Sequence, residues 1–334
     1  MRLKLTAREK EILEILKKEP LISQDELAKR LGIARSSAAV HVSNLMKKGA
    51  ILGRGYVFNE RVSAVVLGQS AVELNVTAAP PGGPDNASRI SLEPGGFACK
   101  VAASLARFGL GVKVLTVLGI DDEGNRIIDK LLKDEVDTSN LYRTSQHSTP
   151  KLVRITGREK LIEYYDRIGW EVFEGLLDIW GQLLVECEWL LVEHHLVEPV
   201  VRRLSHRDPS QWPYLGTAFL AGNNGSLSES LGDCHLVVLG VSGNNMEEWV
   251  EKGLRIVERG LPNLVVTDGT SKILVASQRG LTEVPLAPNQ GFEVVRGLEP
   301  FLAGTVYGLT QGYHYRQAVR MGSRVASLAG AGRF

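Results

Sequence analysis

The sequence predicts a two-part chain, with a small helical module and a β-ribbon at the front and a larger α/β body built on a mainly parallel sheet behind. Three observations carry this: a length of 334 residues, which suits about two domains, an uneven division of charge, and a change in hydrophobic periodicity near residue 60. Residues 1–60 hold 12 Lys/Arg against 7 Asp/Glu, whereas 61–334 hold 27 against 31, so the net charge of +1 conceals a basic front and a mildly acidic body. A short basic module of this kind suits a polyanionic partner. A composition 44% hydrophobic and 23% charged excludes disordered and fibrous classes. Cys99, Cys187 and Cys234 are too scattered for a disulfide framework or a zinc module, which favours a reducing, cytoplasmic compartment. No apolar run approaches the roughly 18 residues of a membrane span and the first residues show no apolar leader, so neither secretion nor a membrane partner is expected.

Each element of the front follows from local signals. Thr6-Ala-Arg-Glu9 is a capping-box pattern, after which Ile12, Leu13 and Leu16 share one helical face until Pro20. Ser23-Gln-Asp-Glu26 repeats the device ahead of Leu27, Ala28 and Leu31, with Gly32 at the C-terminal cap. A third helix is expected from Ala34 to Lys48, ending at Gly49, with Ala38, Val42 and Leu45 inward and Arg35, Ser36, Ser37, Asn44 and Lys47 left polar. Ile51–Phe58 alternates like a hairpin and carries Arg54 between two glycines. Three helices with a tight turn before the third, then a glycine-tipped ribbon, form the layout of a winged helix-turn-helix. The segment resembles bacterial winged-helix repressor domains. That resemblance implies a third helix in the major groove of double-stranded DNA, with Arg35, Ser36, Ser37 and Asn44 near base edges and Lys47, Lys48 and Arg54 on phosphates. The alternative is a three-helix interaction module with a solvated basic face.

In the body, Val62–Leu67, Val112–Leu118, Trp189–Glu193, Leu236–Leu239 and Leu264–Thr267 are aliphatic runs of the kind found in a buried sheet. Helical patterns at Ala98–Phe108, Gly124–Leu132, Met246–Arg259 and Glu299–Gly312 separate most of them, which predicts a sheet covered on both faces. Lys151–Thr156 and Leu161–Asp166 read as a hairpin appended to that sheet, and the Pro-rich stretch 78–84 as a mobile loop or lid edge. His194 and His195, placed on a strand end, would point to opposite faces; they read as loop or packing residues, and no metal site is expected.

Six segments then occur in a meaningful order: Gly68-Gln-Ser-Ala-Val-Glu-Leu74, Pro94-Gly-Gly-Phe-Ala-Cys-Lys-Val-Ala102, Leu118-Gly-Ile-Asp-Asp-Glu-Gly124, Val136-Asp-Thr-Ser139, Val266-Thr-Asp-Gly269 and Phe301-Leu-Ala-Gly304. In order and spacing they resemble the ribokinase-like (PfkB) sugar and nucleoside kinases over residues 62 to about 330. With the front end, the chain looks most like the bacterial branch that joins a winged helix to a pseudouridine-kinase-type domain. The expected domains are therefore a winged helix-turn-helix at 1–60 and, at 61–334, a ribokinase-like α/β domain with a mainly parallel central sheet and a small β lid.

The resemblance also implies site residues. Phosphoryl transfer to an alcohol rests on positioning, charge stabilisation and a base for the hydroxyl proton. Where the family binds sugar hydroxyls with an Asp and an Asn, this chain has Glu73 and, after Gly95 and Gly96, Lys100, which has donors only. Where the family opens a helix with Gly-Ala-Gly-Asp as anion hole and base, this chain has Arg296, Gly297, Leu298 and Glu299. Arg296 and Leu298 bring Cβ atoms that crowd a phosphate, and an Arg296 guanidinium standing in the phosphate's place is one reading. Pro300 is expected in the first turn of the following helix. Thr267 and Gly269 match the nucleotide side. The leading expectation is a homodimeric DNA-binding transcriptional regulator with a degenerate kinase-like domain that senses a sugar or nucleoside ligand or serves structure alone, and that needs no cofactor. The alternative is an active ATP- and Mg²⁺-dependent pseudouridine, nucleoside or sugar kinase with a DNA-binding domain, and a pure scaffold is the third reading.

Overall fold

A computed structural model describes residues 5–19, 22–48, 50–53, 57–58, 62–77, 89–156, 161–221, 227–241, 245–286 and 290–331. Gly49, Arg54, the 78–84 stretch and residues 157–160 lie outside the described residues. The chain divides into two compact units, one built on Met1–Arg61 and the other on Val62–Arg207 with Trp212–Phe334.

The first unit begins with α1 (Ala7–Lys18), where Thr6 Oγ1 accepts from the Glu9 amide at 3.2 Å and the Thr6 amide donates to Glu9 Oε2 at 2.7 Å, closing the capping box. Ser23 caps α2 (Gln24–Leu31) through the Glu26 amide, and Gly32 ends it at φ +62°, a left-handed value that a side chain would strain. α3 (Arg35–Lys47) has Ala34 at its N-cap and no side-chain cap. Ile12, Leu16, Leu27, Ala28, Leu31, Ala38, Val42 and Leu45 form one buried core, with Leu13 packed partly buried against it. β1 (Ile51–Gly53) pairs antiparallel with β2 (Val57–Phe58).

The second unit starts with β3 (Val62–Leu67) and β4 (Ala71–Thr77), and β5 (Arg89–Gly95) runs directly into α4 (Gly96–Ala106). β6 (Val112–Leu115) and β7 (Val117–Gly119) precede α5 (Asp122–Lys133) and β8 (Tyr142–Thr144). Next come β9 (Lys151–Thr156), β10 (Leu161–Asp166), α6 (Trp170–Trp180), β11 (Cys187–Val192), α7 (Val197–Leu204) and β12 (Tyr214–Leu220). β13 (Leu236–Gly240), α8 (Met246–Glu258), β14 (Leu264–Thr267), β15 (Lys272–Ser277) and β16 (Gly280–Pro285) lead to α9 (Val294–Thr310) and α10 (Tyr315–Gly330).

Among the described residues the main sheet has the order β16-β15-β14-β13-β12-β11-β3-β6, parallel from β6 to β14 and antiparallel at β15 and β16. Strand alternation divides the core between its faces. Ala64, Val66, Trp189, Leu191, Leu236 and Val238 pack with α4, α5, α9 and α10. Their neighbours Val65, Leu67, Leu190, Val192, Val237 and Leu239 pack with α6, α7 and α8. Burial on both faces is why these strands read as unbroken apolar runs.

Three expectations change. The run 112–118 is broken at buried Thr116, and β7 leaves the main sheet to pair in parallel with β8. The β9–β10 hairpin is not an appendage of the main sheet; it joins β4 and β5 in a separate sheet of order β10-β9-β4-β5, with β4 and β9 parallel. β12 escaped prediction because Gly216, Thr217 and Ala218 dilute its aliphatic signal, and a Cβ on Gly216 would lie 2.8 Å from Leu191 Cδ2. No helix among the described residues is long and apolar enough to cross a membrane, and the three cysteines are buried.

α9 is held against α10 by a close crossing, where a Cβ on Gly304 would lie 2.7 Å from Val325 Cγ2 and 2.9 Å from Gly322 Cα. Gly304→Val is therefore expected to destabilise the protein by about 1–3 kcal/mol through overpacking, read as a lower urea midpoint at unchanged slope.

Candidate functional site

Cross-strand register sorts the four-stranded sheet into two unlike faces. Glu93, Glu73, Leu152 and Tyr165 form one row, and Ser91, Asn75, Arg154 and Glu163 the next, on a largely polar face. The carboxyl ends of β11 and β12 bring Glu193, His194 and Phe219 to the same place, where open parallel sheets form their ligand crevice. The result is a cavity of about 330 Å³ whose polar lining includes Glu73, Arg154, Tyr165, Glu193 and Glu299.

Glu73 is buried at its edge. Its Oε1 accepts from the Gly96 amide and from Lys100 Nζ, each at 2.8 Å, and its Oε2 accepts from Arg154 Nη1. Arg154 Nε also donates to Glu163 Oε1 at 2.7 Å. Burial pushes the Glu73 carboxyl up, but Lys100, Arg154 and the Gly96 amide together outweigh it and hold the group at about 2. Gly95 and Gly96 make this arrangement possible: a Cβ on Gly95 would lie 2.4 Å from Glu73 Oε1, and Gly96 sits at φ +78°. The carboxylate that the resemblance assigns to a sugar hydroxyl thus has both oxygens engaged by the protein, and Lys100 is part of that engagement.

The helix start corrects the reading of 296–299. α9 begins at Val294 with Glu293 as N-cap, five residues before the expected Glu299, so Arg296, Gly297, Leu298 and Glu299 are helical and Pro300 is inside the helix instead of in its first turn. The Gly297 amide donates to the Glu293 carbonyl at 2.9 Å, and the helical repeat engages the amides of Leu298 and Glu299 in turn. Pro300 has no amide hydrogen to return to the Arg296 carbonyl. Arg296 Nη2 lies 3.5 Å from Asn75 Oδ1 and Nε 3.5 Å from Glu293 Oε2, in a neighbouring cavity that Lys100 and Pro300 also line. Its guanidinium therefore does not stand in the Glu299 cavity. Leu298 is buried in the core, and Glu299 is half-buried, with a buried Oε2 that has no hydrogen-bond partner among the described residues.

Thr267 and Gly269 are occupied as well. Thr267 Oγ1 accepts from the Gly269 amide at 3.0 Å and donates to the Lys272 carbonyl at 3.2 Å, while the Phe292 amide donates to the Gly269 carbonyl at 2.8 Å. Gly269 has φ +74°, and a Cβ there would lie 2.3 Å from Phe292 O. Both residues hold a turn.

In the first unit Arg35, Ser36, Ser37 and Lys47 are exposed along α3 and Asn44 is half-buried. Arg35 Nε lies 3.4 Å from Asp25, an exposed pair of small energetic weight. Lys48 departs from expectation: its Nζ is 2.6 Å from buried Glu9 Oε2, tying the end of α3 to α1.

Sequence reasoning missed Arg154, Glu163, Tyr165, Arg167 and Glu193. A strict pairing of the predicted hairpin places Arg154 opposite Glu163, and the Glu193 position at a strand's carboxyl end was a second available signal. His194 and His195 lie in a 3₁₀ turn, not on a strand, so their rings meet at 3.7 Å between centroids, tilted by 40°, instead of pointing apart, and His194 stacks on Phe219. Burial, then His195 and Arg167, lower the His194 pKa to about 3. Burial raises Glu193 to about 7 against the pull of the Gln69 amide and Arg167, and burial likewise raises Glu299 against Lys100.

A winged helix-turn-helix joined to a ribokinase-like α/β domain is the class that this fold and cleft define. Residues 5–51 match the winged helix-turn-helix DNA-binding family, and residues 62–180 match the pfkB family of carbohydrate kinases. The uncharacterized sugar kinase YeiI of Escherichia coli (strain K12) is 35% identical over 154 residues, which span 46% of this chain and 42% of that protein. Ribokinase from Thermotoga maritima superposes with a TM-score of 0.63 at 17% identity, over 80% of this chain and 93% of that one. The Burkholderia thailandensis nucleoside kinase in complex with inosine gives 0.65 at 14% identity, over 80% and 91%. Arabidopsis thaliana ribokinase complexed with ribose and ATP gives 0.62 at 14% identity, over 81% and 93%. At these identities the structures show a shared fold. The family models thus show an N-terminal winged helix-turn-helix region ahead of a PfkB carbohydrate kinase region.

The cavity carboxyls predict opposite pH dependences. Glu193, raised from 4.5 to about 7, keeps its proton in the folded state where the unfolded state has lost it, so stability falls as pH rises between those values. Glu73, lowered from 4.5 to about 2, contributes stability that is lost as pH falls through that window. Urea midpoints across pH are expected to lose the upper slope in Glu193→Gln and the lower one in Glu73→Gln.

Proposed function

We propose that this protein is a DNA-binding transcriptional regulator whose PfkB domain no longer transfers phosphoryl groups and instead senses a small ligand. The observation that carries this is the course of α9, whose helical hydrogen bonds already engage the amides that an anion hole would have to present. The engaged oxygens of Glu73 and the turn held by Thr267 and Gly269 support the same reading, since neither leaves its polar groups for sugar or Mg·ATP. The second reading, an active nucleoside or sugar kinase, is favoured by Glu299, a buried carboxyl at the base position that faces the cavity. ATP turnover with Mg²⁺ against pseudouridine, ribose and common nucleosides separates the two. The regulator predicts no turnover above a Glu299→Ala control, and turnover abolished by that control establishes the kinase.

The DNA-binding domain follows from the exposed first turn of α3, whose N-terminal residues are the ones that reach base edges in helix-turn-helix proteins. On a site selected from random duplexes, Arg35→Ala is expected to cost about 1–3 kcal/mol at that site only. Lys47→Ala should weaken all duplexes alike and reduce the salt slope by about 1. Fluorescence anisotropy across salt concentrations reads both.

The homodimer is supported by the outer face of the four-stranded sheet. There Leu92, Leu74, Val153 and Tyr164 form one row and Ile90, Val76, Ile155 and Ile162 the next, eight apolar residues across all its strands. Ile90 is 72% exposed and Tyr164 63%. Contiguous apolar patches of this kind mark interfaces, and a two-fold axis sets such a face against its own copy. Light scattering is expected to give a dimer for the native chain and a monomer for Leu92→Lys with Tyr164→Glu.

A further inference from the structure

Two oxygens at the cavity are buried without a hydrogen-bond partner among the described residues. Lys100 lies on Glu73 Oε1, Arg154 links Glu73 Oε2 to Glu163 Oε1, and Arg167 lies over the Tyr165 and Trp170 rings at 4.4 and 6.0 Å. Glu193 accepts from the Gln69 amide at 2.7 Å through one oxygen. Glu299 Oε2 is buried without a partner among the described residues, and so is the Tyr165 hydroxyl. A buried acceptor left unmade costs about 1–3 kcal/mol, which a ligand bringing donors recovers. A neutral hydroxyl brings one donor and no charge, whereas a primary ammonium brings three donors and a positive charge, and charge-assisted hydrogen bonds are roughly twice as strong. Phe97 and Phe219 on the walls suit a cation further.

We propose that this cavity binds an amine-bearing ligand of about monosaccharide size, of the amino-sugar class, whose ammonium group is received by Glu193 and Glu299. The proposal rests on the ligand-sensing reading and narrows it to one chemistry. Other titratable groups facing the pair are fixed in charge near neutral pH: Glu73 is ionised by its cations, His194 is neutral, and the Tyr165 hydroxyl is pushed up by burial. Glu193 and Glu299, both raised, are the groups that an incoming cation ionises. Binding therefore releases protons, and affinity rises with pH through the Glu193 value until the amine itself loses its charge.

The test is calorimetry on the full chain from about pH 6 to about pH 8, in buffers of different ionisation enthalpy that expose proton release. The probes are glucosamine and galactosamine, against glucose, galactose and their N-acetyl derivatives, with ribose and pseudouridine as neutral ligands. The expected result is amine binding at least about tenfold tighter than the neutral counterparts, with proton release, and a further loss of about tenfold in Glu299→Gln and in Glu193→Gln. Proton release by the native chain stands independently of whether either variant folds. A neutral sugar or nucleoside that binds as tightly as the amines, without proton release, overturns the amine proposal and leaves ligand sensing intact. Binding of neither class to folded protein overturns both.

Discussion

The buried carboxylate of Glu73 is the contact on which the rest of the cleft depends. It lies on β4, accepts from the first amide of α4, and is joined through Lys100 to the next turn of that helix and through Arg154 to β9. Arg154 extends the chain of charge to Glu163 on β10. One ionised group therefore holds three strands of the small sheet and the helix beneath them in register. Removing one partner of such a buried pair leaves an uncompensated charge at a cost of about 3–5 kcal/mol, so the network is a constraint on the fold as well as on the site. It also explains a polar inner face on a small sheet whose outer face is apolar.

Within the same cavity, carboxyls of one chemical type take opposite states because donors are unevenly shared. Glu73 has two cations and an amide and stays ionised; Glu193 has one amide, and Glu299 has an oxygen with no partner among the described residues, so burial governs both. Charge is thus stabilised at the position where the family places a sugar-binding carboxylate, and burial disfavours it at the position where the family places a base.

The course of α9 gives that division its structural counterpart. Arg296 and Leu298 are ordinary helix-forming residues where a family member has glycines, and with them the helix extends back to Val294 and uses amides that a loop would leave free. Phe292 completes the change, because its backbone meets Gly269 and its ring lies where a Cβ on Gly297 would reach within 2.5 Å. The nucleotide-side turn and the start of the helix are in this way packed on each other.

Much of the fold was legible because it depends on local rules. Capping residues Thr6 and Ser23, the Gly32 terminus and the apolar stripes of α1 to α3 are short-range features, and strands buried on both faces announce themselves as unbroken aliphatic runs. Motif order likewise located Glu73, Lys100 and Glu299 in the sequence. Their chemistry was not legible, because it arises from contacts across long stretches of chain: Glu73 meets Arg154 only after β4 pairs with β9, and Glu193 joins Glu299 at one cavity only after β11 takes its place beside β3. Residue type and spacing by themselves determined which groups this protein has and which elements carry them. Tertiary structure alone decided which of those groups are neutralised, which are left without donors, and which amides a helix has already engaged, since burial and partner geometry set the free energy of a charge and neither is a local property of the chain.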